Sequence, residues 1–406
     1  MRELHLLGVL RHRDFRLLWS GQLVSNLGDA ASALALAWLV QEETHSALMV
    51  GAVMVAFAAP LVVAAPVAGL VVDRVDKRGL MVWCDAIRFG LIALLAALYA
   101  SGRLSIAAVP VFALAVGTAT AFFEPARQSS LIHLVDPGEL SQANAVSMLT
   151  RQIAQLVGPT AAGLVVARWG IASALWFHAA SYGVSALAVG SMRWRSEPGL
   201  TAPGRWPGVI DDLKAGLRMI GAHPLLRIVF ALAVVVNFAM APVPVVLPLY
   251  VATVTHQGPV GLGLVQGTMG MGMLAGSLLM SAVGGRWAKG PTGIGGLWTM
   301  ASSMLLAGWS RTPLGAGLAF AVWGAAGPLV NVPVVTLVQQ QVPPERQGQA
   351  FAAFMAATVA AQPVGMLLAG LVGDRWGAPA VFLAVSLLLA AVSLAATAAR
   401  PLRFAR

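Results

Sequence analysis

Gly163-Leu-Val-Val-Ala-Arg-Trp-Gly170 returns 207 residues later as Gly370-Leu-Val-Gly-Asp-Arg-Trp-Gly377. The same shift carries Val135 onto Val342, Pro137 onto Pro344, Gln142 onto Gln349, Ala143 onto Ala350 and Gly158 onto Gly365. At a shift of 211, His12, Arg16 and Asn26 meet His223, Arg227 and Asn237. Several matches in order at nearly one offset indicate a duplicated unit, and each octapeptide closes an apolar run.

Such runs fill the chain. Spans are expected near 17–40, 47–72, 80–100, 105–123, 144–167 and 171–192, then 226–250, 260–283, 291–309, 314–338, 350–373 and 378–399. Each approaches the roughly 20 residues that a helix needs to cross a hydrocarbon core, and none has the length of about 10 residues and the alternation of a barrel strand. Of 406 residues, 58% are hydrophobic and 10% charged, too few polar groups to coat a water-soluble globule of this size. The expected fold is therefore an all-α membrane protein: twelve transmembrane helices in two pseudo-symmetric six-helix bundles. The bundles are expected at 1–192 and 225–406, joined by a cytoplasmic linker at 193–224 that carries Pro198, Pro203 and Pro207 and a short helix over 211–220. Paired six-helix repeats are how many secondary transporters place a substrate site near the midplane.

The net charge of +10 is explained by topology. With the N-terminus in the cytoplasm, 20 of the 26 Lys and Arg fall in cytoplasmic tails and loops. Four fall outside (Arg103, Arg168, Arg311, Arg375) and two within spans (Arg88, Arg151). That bias predicts both termini cytoplasmic in the cell inner membrane, and no basic patch interleaved with aromatics suggests nucleic acid. The first run, flanked by Arg11, Arg13 and Arg16, is too long for a signal-peptide core and reads as an uncleaved span. Cys84 stands alone, the seven histidines have no metal-ligand spacing, and no GxxxxGK[ST] loop is present. No metal or cofactor is expected, and no enzyme activity. The glycines of Gly270-Met-Gly272-Met-Leu-Ala-Gly276 read as helix-packing residues.

Between the second and third spans, Gly69-Leu-Val-Val-Asp73-Arg74-Val-Asp76-Lys77-Arg78 resembles the major facilitator signature GxxxDRxxRR/K, with Asp76 where Gly is common. Gly158-Pro159-Thr-Ala-Ala162-Gly163 is similar to the antiporter motif GPxxGG, with Ala162 in place of one Gly. FRLLWSGQLVSNLGDAASALALAWLV (15–40) and FFEPARQSSLIHLVDPGELSQANAV (122–146) resemble the twelve-helix drug-efflux branch that includes macrolide and siderophore exporters. The resemblance implies that Gly69, Asp73, Arg74 and Arg78 close a cytoplasmic gate, their acid near helix ends and their basic groups on nearby carbonyls and carboxylates. It also implies that Gly158, Pro159 and Gly163 pack helices. The second-half counterpart, 276–290, keeps Gly276 without the Asp-Arg pair.

Ionisable groups inside spans are functional candidates by default. Gln22, Asn26 and Asp29 share one face of the first helix, and Asn144, Ser147, Arg151 and Gln155 one face of the fifth. Since the resemblance places both helices on the cavity, an Asp29–Arg151 pair that a proton breaks is the expected coupling device, with a static bridge as the alternative. Glu124, read as one turn from the cytoplasmic end of the fourth helix, is a further proton-site candidate. Asp85 and Arg88, at the cytoplasmic start of the third, are expected to support the gate or to form a local pair. His178 is expected to be a hydrogen-bonded packing residue. Gln22, Asn26, Gln155, Asn237, Phe238, Met240, Gln266, Met269, Trp323, Asn331, Met355 and Gln362 are the expected substrate-cavity residues, the apolar ones suited to varied ligands. Pro242, Pro244 and Pro248 should interrupt the seventh helix, a candidate outer gate.

The expected function is secondary active transport: proton-coupled efflux of hydrophobic or amphiphilic compounds by alternating access. A proton gradient is the energy source, a small molecule, protons and the bilayer are the partners, and the chain acts as a monomer. The alternatives are a substrate-specific facilitator or uniporter for a lipid, siderophore or metabolite, and a transport-inactive membrane receptor.

Overall fold

The computed structural model describes residues 6–195, 206–343 and 346–404, and among them the only regular structure is helical. The helices are α1 (Arg13–Thr44), α2 (Ala47–Val63), α3 (Ala65–Val72), α4 (Lys77–Ala100), α5 (Val109–Leu134), α6 (Leu140–Gly190), α7 (Trp206–Ala222), α8 (Pro224–Met240), α9 (Pro242–Tyr250), α10 (Gly258–Val283), α11 (Lys289–Trp309), α12 (Pro313–Gln341), α13 (Gln347–Trp376), α14 (Ala378–Ala398) and α15 (Arg400–Arg403). Nine segments of the described residues are long and apolar enough to cross a membrane. Splitting α6 at Gly170, joining α2 to α3 and adding the 21-residue α11 brings the passes to twelve.

The duplication is written into the backbone. Gly170 (φ 80°, ψ 169°) and Gly377 (φ 80°, ψ 163°) make the same sharp corner between consecutive passes, a conformation that a side chain disfavours. Among described non-glycine residues, only His45 (φ 52°) and His256 (φ 54°) enter the left-handed region, and they stand at the shift of 211 read from the sequence.

Compact units comprise residues 1–43 with 53–204, and 44–52 with 205–406. These limits differ from the expected boundaries at two places. Residues 44–52 group with the second unit because Asp374 caps the start of α2, accepting from Ser46 Oγ at 2.6 Å, Ala47 N at 2.6 Å and Leu48 N at 3.4 Å. The helix expected over 211–220 is the longer α7, which packs on α13 with Gly216 against the Gln349 carbonyl. The linker's Pro198 and Pro203, and Pro344 of the repeat, lie outside the described residues.

In the first unit α4 packs on α5 and α6, and α1 meets α6 where Gly28 leaves room for Ser181 and His178. Gly158 does the same for Ala30: a Cβ there would lie 2.5 Å from the Ala30 Cβ. Phe15, Leu18, Met81, Phe123 and Met192 build an apolar core at one end of this unit. In the second unit α10 lies along α12, with Gly272 and Gly276 against the carbonyls of Ala321 and Ala325, and Gly324 against that of Met269. Lipid supplies no hydrophobic drive between helices, so such close backbone contact is what holds them. Tyr250, Phe320 and Phe382 stack edge to face nearby, and the Tyr250 hydroxyl donates to the Ser310 carbonyl at 3.0 Å.

The seventh pass is interrupted, as its prolines require. α8 ends at Met240, α9 begins at Pro242, and a π-helical turn, Val251–Thr255, follows. Pro242 has no N–H to offer the Phe238 carbonyl, and Gly365 approaches that oxygen so closely that a Cβ would lie 2.7 Å away.

Candidate functional site

Two polar centres of the first unit hold the ionisable residues expected within spans. The first begins at Asp29, whose side chain is 50% exposed on α1. Its Oδ1 accepts the Tyr182 hydroxyl at 2.8 Å and lies 3.8 Å from His178 Nε2. Both partners come from the second segment of α6, one turn apart, and their rings are in tilted contact at 4.5 Å between centroids. Behind Tyr182 sits Arg88, its guanidinium 4.3 Å from the Tyr182 ring centre and 4.2 Å from that of Phe123, and it donates to Asp85 one turn earlier on α4. Asp85 is fully buried and Arg88 is 4% exposed. Ion pairing and two aromatic faces are what make a buried guanidinium tolerable. The satisfaction is incomplete: Arg88 Nε, Asp85 Oδ2 and His178 Nδ1 have no hydrogen-bond partner among the described residues. Unpaired buried polar atoms are costly, so these three are the unbalanced part of an otherwise satisfied cluster.

The second centre joins α5 to the first segment of α6. Glu124 accepts from Arg127 Nε (2.9 Å) and Nη2 (2.5 Å), from Gln128 Nε2 (3.1 Å) and, most distantly, from Arg151 Nη2 (3.4 Å). Across from it, Trp19 on α1 donates its indole N–H to Thr150 at 2.8 Å, which fixes the ring. Phe15, Leu18, Trp19, Gln22, Asn26, Arg127, Ser147, Thr150 and Arg151 line a pocket here. Gln22 also reaches Ser185 at 3.4 Å, a long contact.

This geometry corrects several expectations. Asp29 and Arg151 do not pair. Each has a nearer partner, Tyr182 for one and Glu124 for the other, because Asp29 points at the second segment of α6 and Arg151 stands on the first. Glu124 is not near a helix end: α5 continues through Pro125 to Leu134, and Glu124 pairs with Arg127 one turn on, which lets the helix carry both charges. Arg127, counted from sequence with a cytoplasmic loop, is therefore a buried residue of the pocket. Asp85 and Arg88 form the expected local pair, but about 12–17 Å along α4, where they back the Asp29 centre rather than the signature loop. His178, expected as packing, is buried beside Asp29. In the sequence, Asp29 on its polar stripe and the helical spacing of Asp85 and Arg88 pointed to members of that centre; nothing there joined them or brought in Tyr182.

In the signature loop, Arg78 donates from Nε to the Val189 carbonyl at 3.2 Å and from Nη2 to that of Gly190, covering the last carbonyls of α6. Asp76, the departure from the common pattern, caps α4 by accepting from Arg78 N (3.3 Å) and Gly79 N (2.9 Å). Asp73 and Arg74 are exposed beyond the end of α3, and a Cβ on Gly69 would meet open space. Pro159 follows Gly158 within α6, and Gly163 is buried there. Among the expected second-half cavity residues, Trp323 is 4% exposed and packed within the unit. Asn237 spends its amide on the Ala233 carbonyl at 2.9 Å. Phe238, Met240, Gln266, Met269 and Gln362 are half-buried, whereas Asn331 and Met355 are exposed, as is Gln155 in the first unit.

The sequence profile of the Major Facilitator Superfamily matches residues 18–363. Among curated proteins, the chain is 27% identical over 390 residues to the multidrug efflux pump Tap of Mycolicibacterium fortuitum, covering 90% of each chain. It is 22% identical to macrolide efflux protein A of Streptococcus pyogenes, covering 94% of each. Among solved structures, a peptide transporter POT superposes with a TM-score of 0.76 at 11% identity, over 95% of this chain and 94% of that one. The nucleoside transporter NupG superposes with a TM-score of 0.71 at 15% identity, over 95% of this chain and all of the other. A twelve-pass helical fold, an internal six-helix repeat and a profile match over most of the chain agree: this protein belongs to the Major Facilitator Superfamily.

Proposed function

We infer that the chain is a secondary transporter that exports hydrophobic or amphiphilic compounds in exchange for protons, with Asp29 as the proton-carrying group. The efflux activity of the named relatives supports the direction of transport. The observation that carries the coupling role is the position of Asp29: half exposed on one side, and bonded on the other to Tyr182, which in turn covers the buried Arg88.

Deprotonated, Asp29 accepts the Tyr182 O–H and holds a negative charge close to Arg88 and His178. A proton on the carboxyl removes that charge, so the Tyr182 hydroxyl is left with a weaker, neutral acceptor and Arg88 with the Asp85 carboxylate and its two aromatic faces. A ligand that shifts a conformational equilibrium needs differential interaction with its two states, and this proton has it. The Asp85–Arg88 pair backs the switch from within α4. Gly69, Asp73, Arg74 and Arg78 serve the cytoplasmic gate in this reading, and the interrupted α8–α9 pass is the flexible outer element. Neutral polar and Met or aromatic groups of the second unit contact substrate. The bias of basic residues supports cytoplasmic termini in a bacterial inner membrane, and no further subunit, cofactor or nucleic acid is required.

The test measures substrate-driven proton movement in proteoliposomes across lipophilic cations, macrolides, siderophores and lysolipids, for wild type and Asp29→Asn. Proton release on substrate addition that is lost in the variant supports antiport through Asp29. Transport by Asp29→Asn at the wild-type rate, without pH dependence, rejects it in favour of a facilitator.

A further inference from the structure

The pocket beside Trp19 carries a charge that its own walls do not use. Arg127 is nearly buried, its side chain 7% exposed, and bonds Glu124 through two nitrogens, so that pair is neutral and complete. Arg151 is different: its side chain is 48% exposed, and its one contact is the 3.4 Å approach to a Glu124 oxygen already taken by Arg127 and Gln128. Two guanidiniums against one carboxylate leave a formal charge of about +1, displayed on a planar group with most of its five donors free. Around it stand the fixed indole of Trp19, apolar Phe15 and Leu18, and the neutral amides of Gln22 and Asn26. Asn26 makes no hydrogen bond among the described residues.

We propose that this pocket is an anion subsite: Arg151 binds the carboxylate or phosphate head of an amphiphilic ligand whose apolar body lies on Trp19, while Asn26 and Gln22 hydrogen-bond the head. A free carboxylate offers Arg151 two parallel charge-assisted bonds in place of one long shared one. Glu124 loses nothing by the exchange, since Arg127 and Gln128 keep it satisfied. The site therefore selects for acidic amphiphiles over cationic ones and assigns Arg151 to the ligand rather than to the proton. The inference rests on the transport reading above only for calling that ligand a substrate.

Equilibrium binding, which needs neither proton coupling nor turnover, tests it. The full chain in phosphatidylcholine nanodiscs is titrated with three fluorescent probes of one apolar scaffold, ending in a carboxylate, a primary amide or an amine, with empty nanodiscs as the partition control. The expected result is carboxylate binding roughly tenfold or more tighter than amide, about 1.4 kcal/mol. Arg151→Gln should bring the carboxylate and amide probes to parity, and Arg151→Lys should retain part of the preference. Repeating the titration with added phosphatidylglycerol separates sources: displacement of the carboxylate probe from wild type identifies a lipid head as the occupant of the same subsite, and no displacement identifies a free ligand. Amine binding as tight as carboxylate, or a preference that survives Arg151→Gln, overturns the proposal. An unchanged melting temperature certifies that the variant is folded, and a wild type that moves no protons on substrate addition yet keeps the carboxylate preference would sink the transport reading alone.

Discussion

Gly324→Ala is the substitution whose effect follows most directly from the packing. A Cβ at Gly324 would lie 1.9 Å from the Met269 carbonyl oxygen and 2.9 Å from Met273 N, where ordinary contact begins at 3.4 Å. The obstacle is α10 backbone, so no rotamer change relieves it, and α10 and α12 must part by about 1–1.5 Å. A gap of 0.5–1 Å already forfeits roughly a quarter to a half of the dispersion attraction of each atom pair. The same separation loosens Gly272 and Gly276, whose Cβ positions lie 1.9 and 2.2 Å from carbonyl oxygens of Ala321 and Ala325. Overpacking of this kind costs about 1–3 kcal/mol, and because the glycines share one contact, Gly272→Ala with Gly324→Ala should cost less than the sum of the two. The control is Gly90→Ala on α4, where a Cβ meets nothing within 4 Å. Replacing a mid-helix glycine in open space should be neutral or stabilise by about 0.5–1 kcal/mol. Apparent melting temperatures in one detergent read both. If Gly324→Ala melts no lower than wild type, the close-packed α10–α12 contact is wrong.

Removing Asp85 alone, as Asp85→Leu, strands a buried guanidinium and should cost about 3–5 kcal/mol, seen as lost folded yield; adding Arg88→Met should recover much of that yield. Asp374→Ala removes the acceptor at the start of α2, for about 0.5–2 kcal/mol, and hydrogen exchange should accelerate at Ala47 and Leu48 while α14 is unaffected. Arg78→Ala uncovers the last α6 carbonyls; Arg78→Lys, which lacks the two-nitrogen fork, should rescue poorly, with α6 terminal exchange as the readout.

The twelve passes were legible because a bilayer sets one length and forbids polar backbone, and the duplication was legible because its corners need particular residues. Charge partners on different helices were not, although the local Asp85–Arg88 pair was. Asp29 and Arg151 sit on polar stripes, but spacing along one helix does not say which residue of another it faces: Asp29 meets Tyr182 beyond the Gly170 corner, and Arg151 meets Glu124 on α5. Glu124-Pro125 read as a helix end because proline and charge usually mark one; the Glu124–Arg127 pair, internal to α5, removed the reason to stop. Arg127 was lost from the site with that boundary. The capping role of Asp76 was in plain view, an acid directly before a helical run, but the motif drew attention to its missing glycine. Asp374 gave no signal, since its acceptor role depends on a helix start more than 300 residues away.

The paired corners at His45 and His256, and at Gly170 and Gly377, divide the repeat into inherited and renegotiated parts. Where the octapeptides align, Ala167 stands opposite Asp374, so the two copies share a bend while only one has become a fastener. The halves are thus interchangeable at some joints and not at others. Grafting the turn around His256 in place of that around His45 exchanges like for like, whereas grafting 163–170 over 370–377 leaves the start of α2 without its carboxylate. A duplicated protein of this kind keeps its geometry as common stock and its individuality in a few side chains.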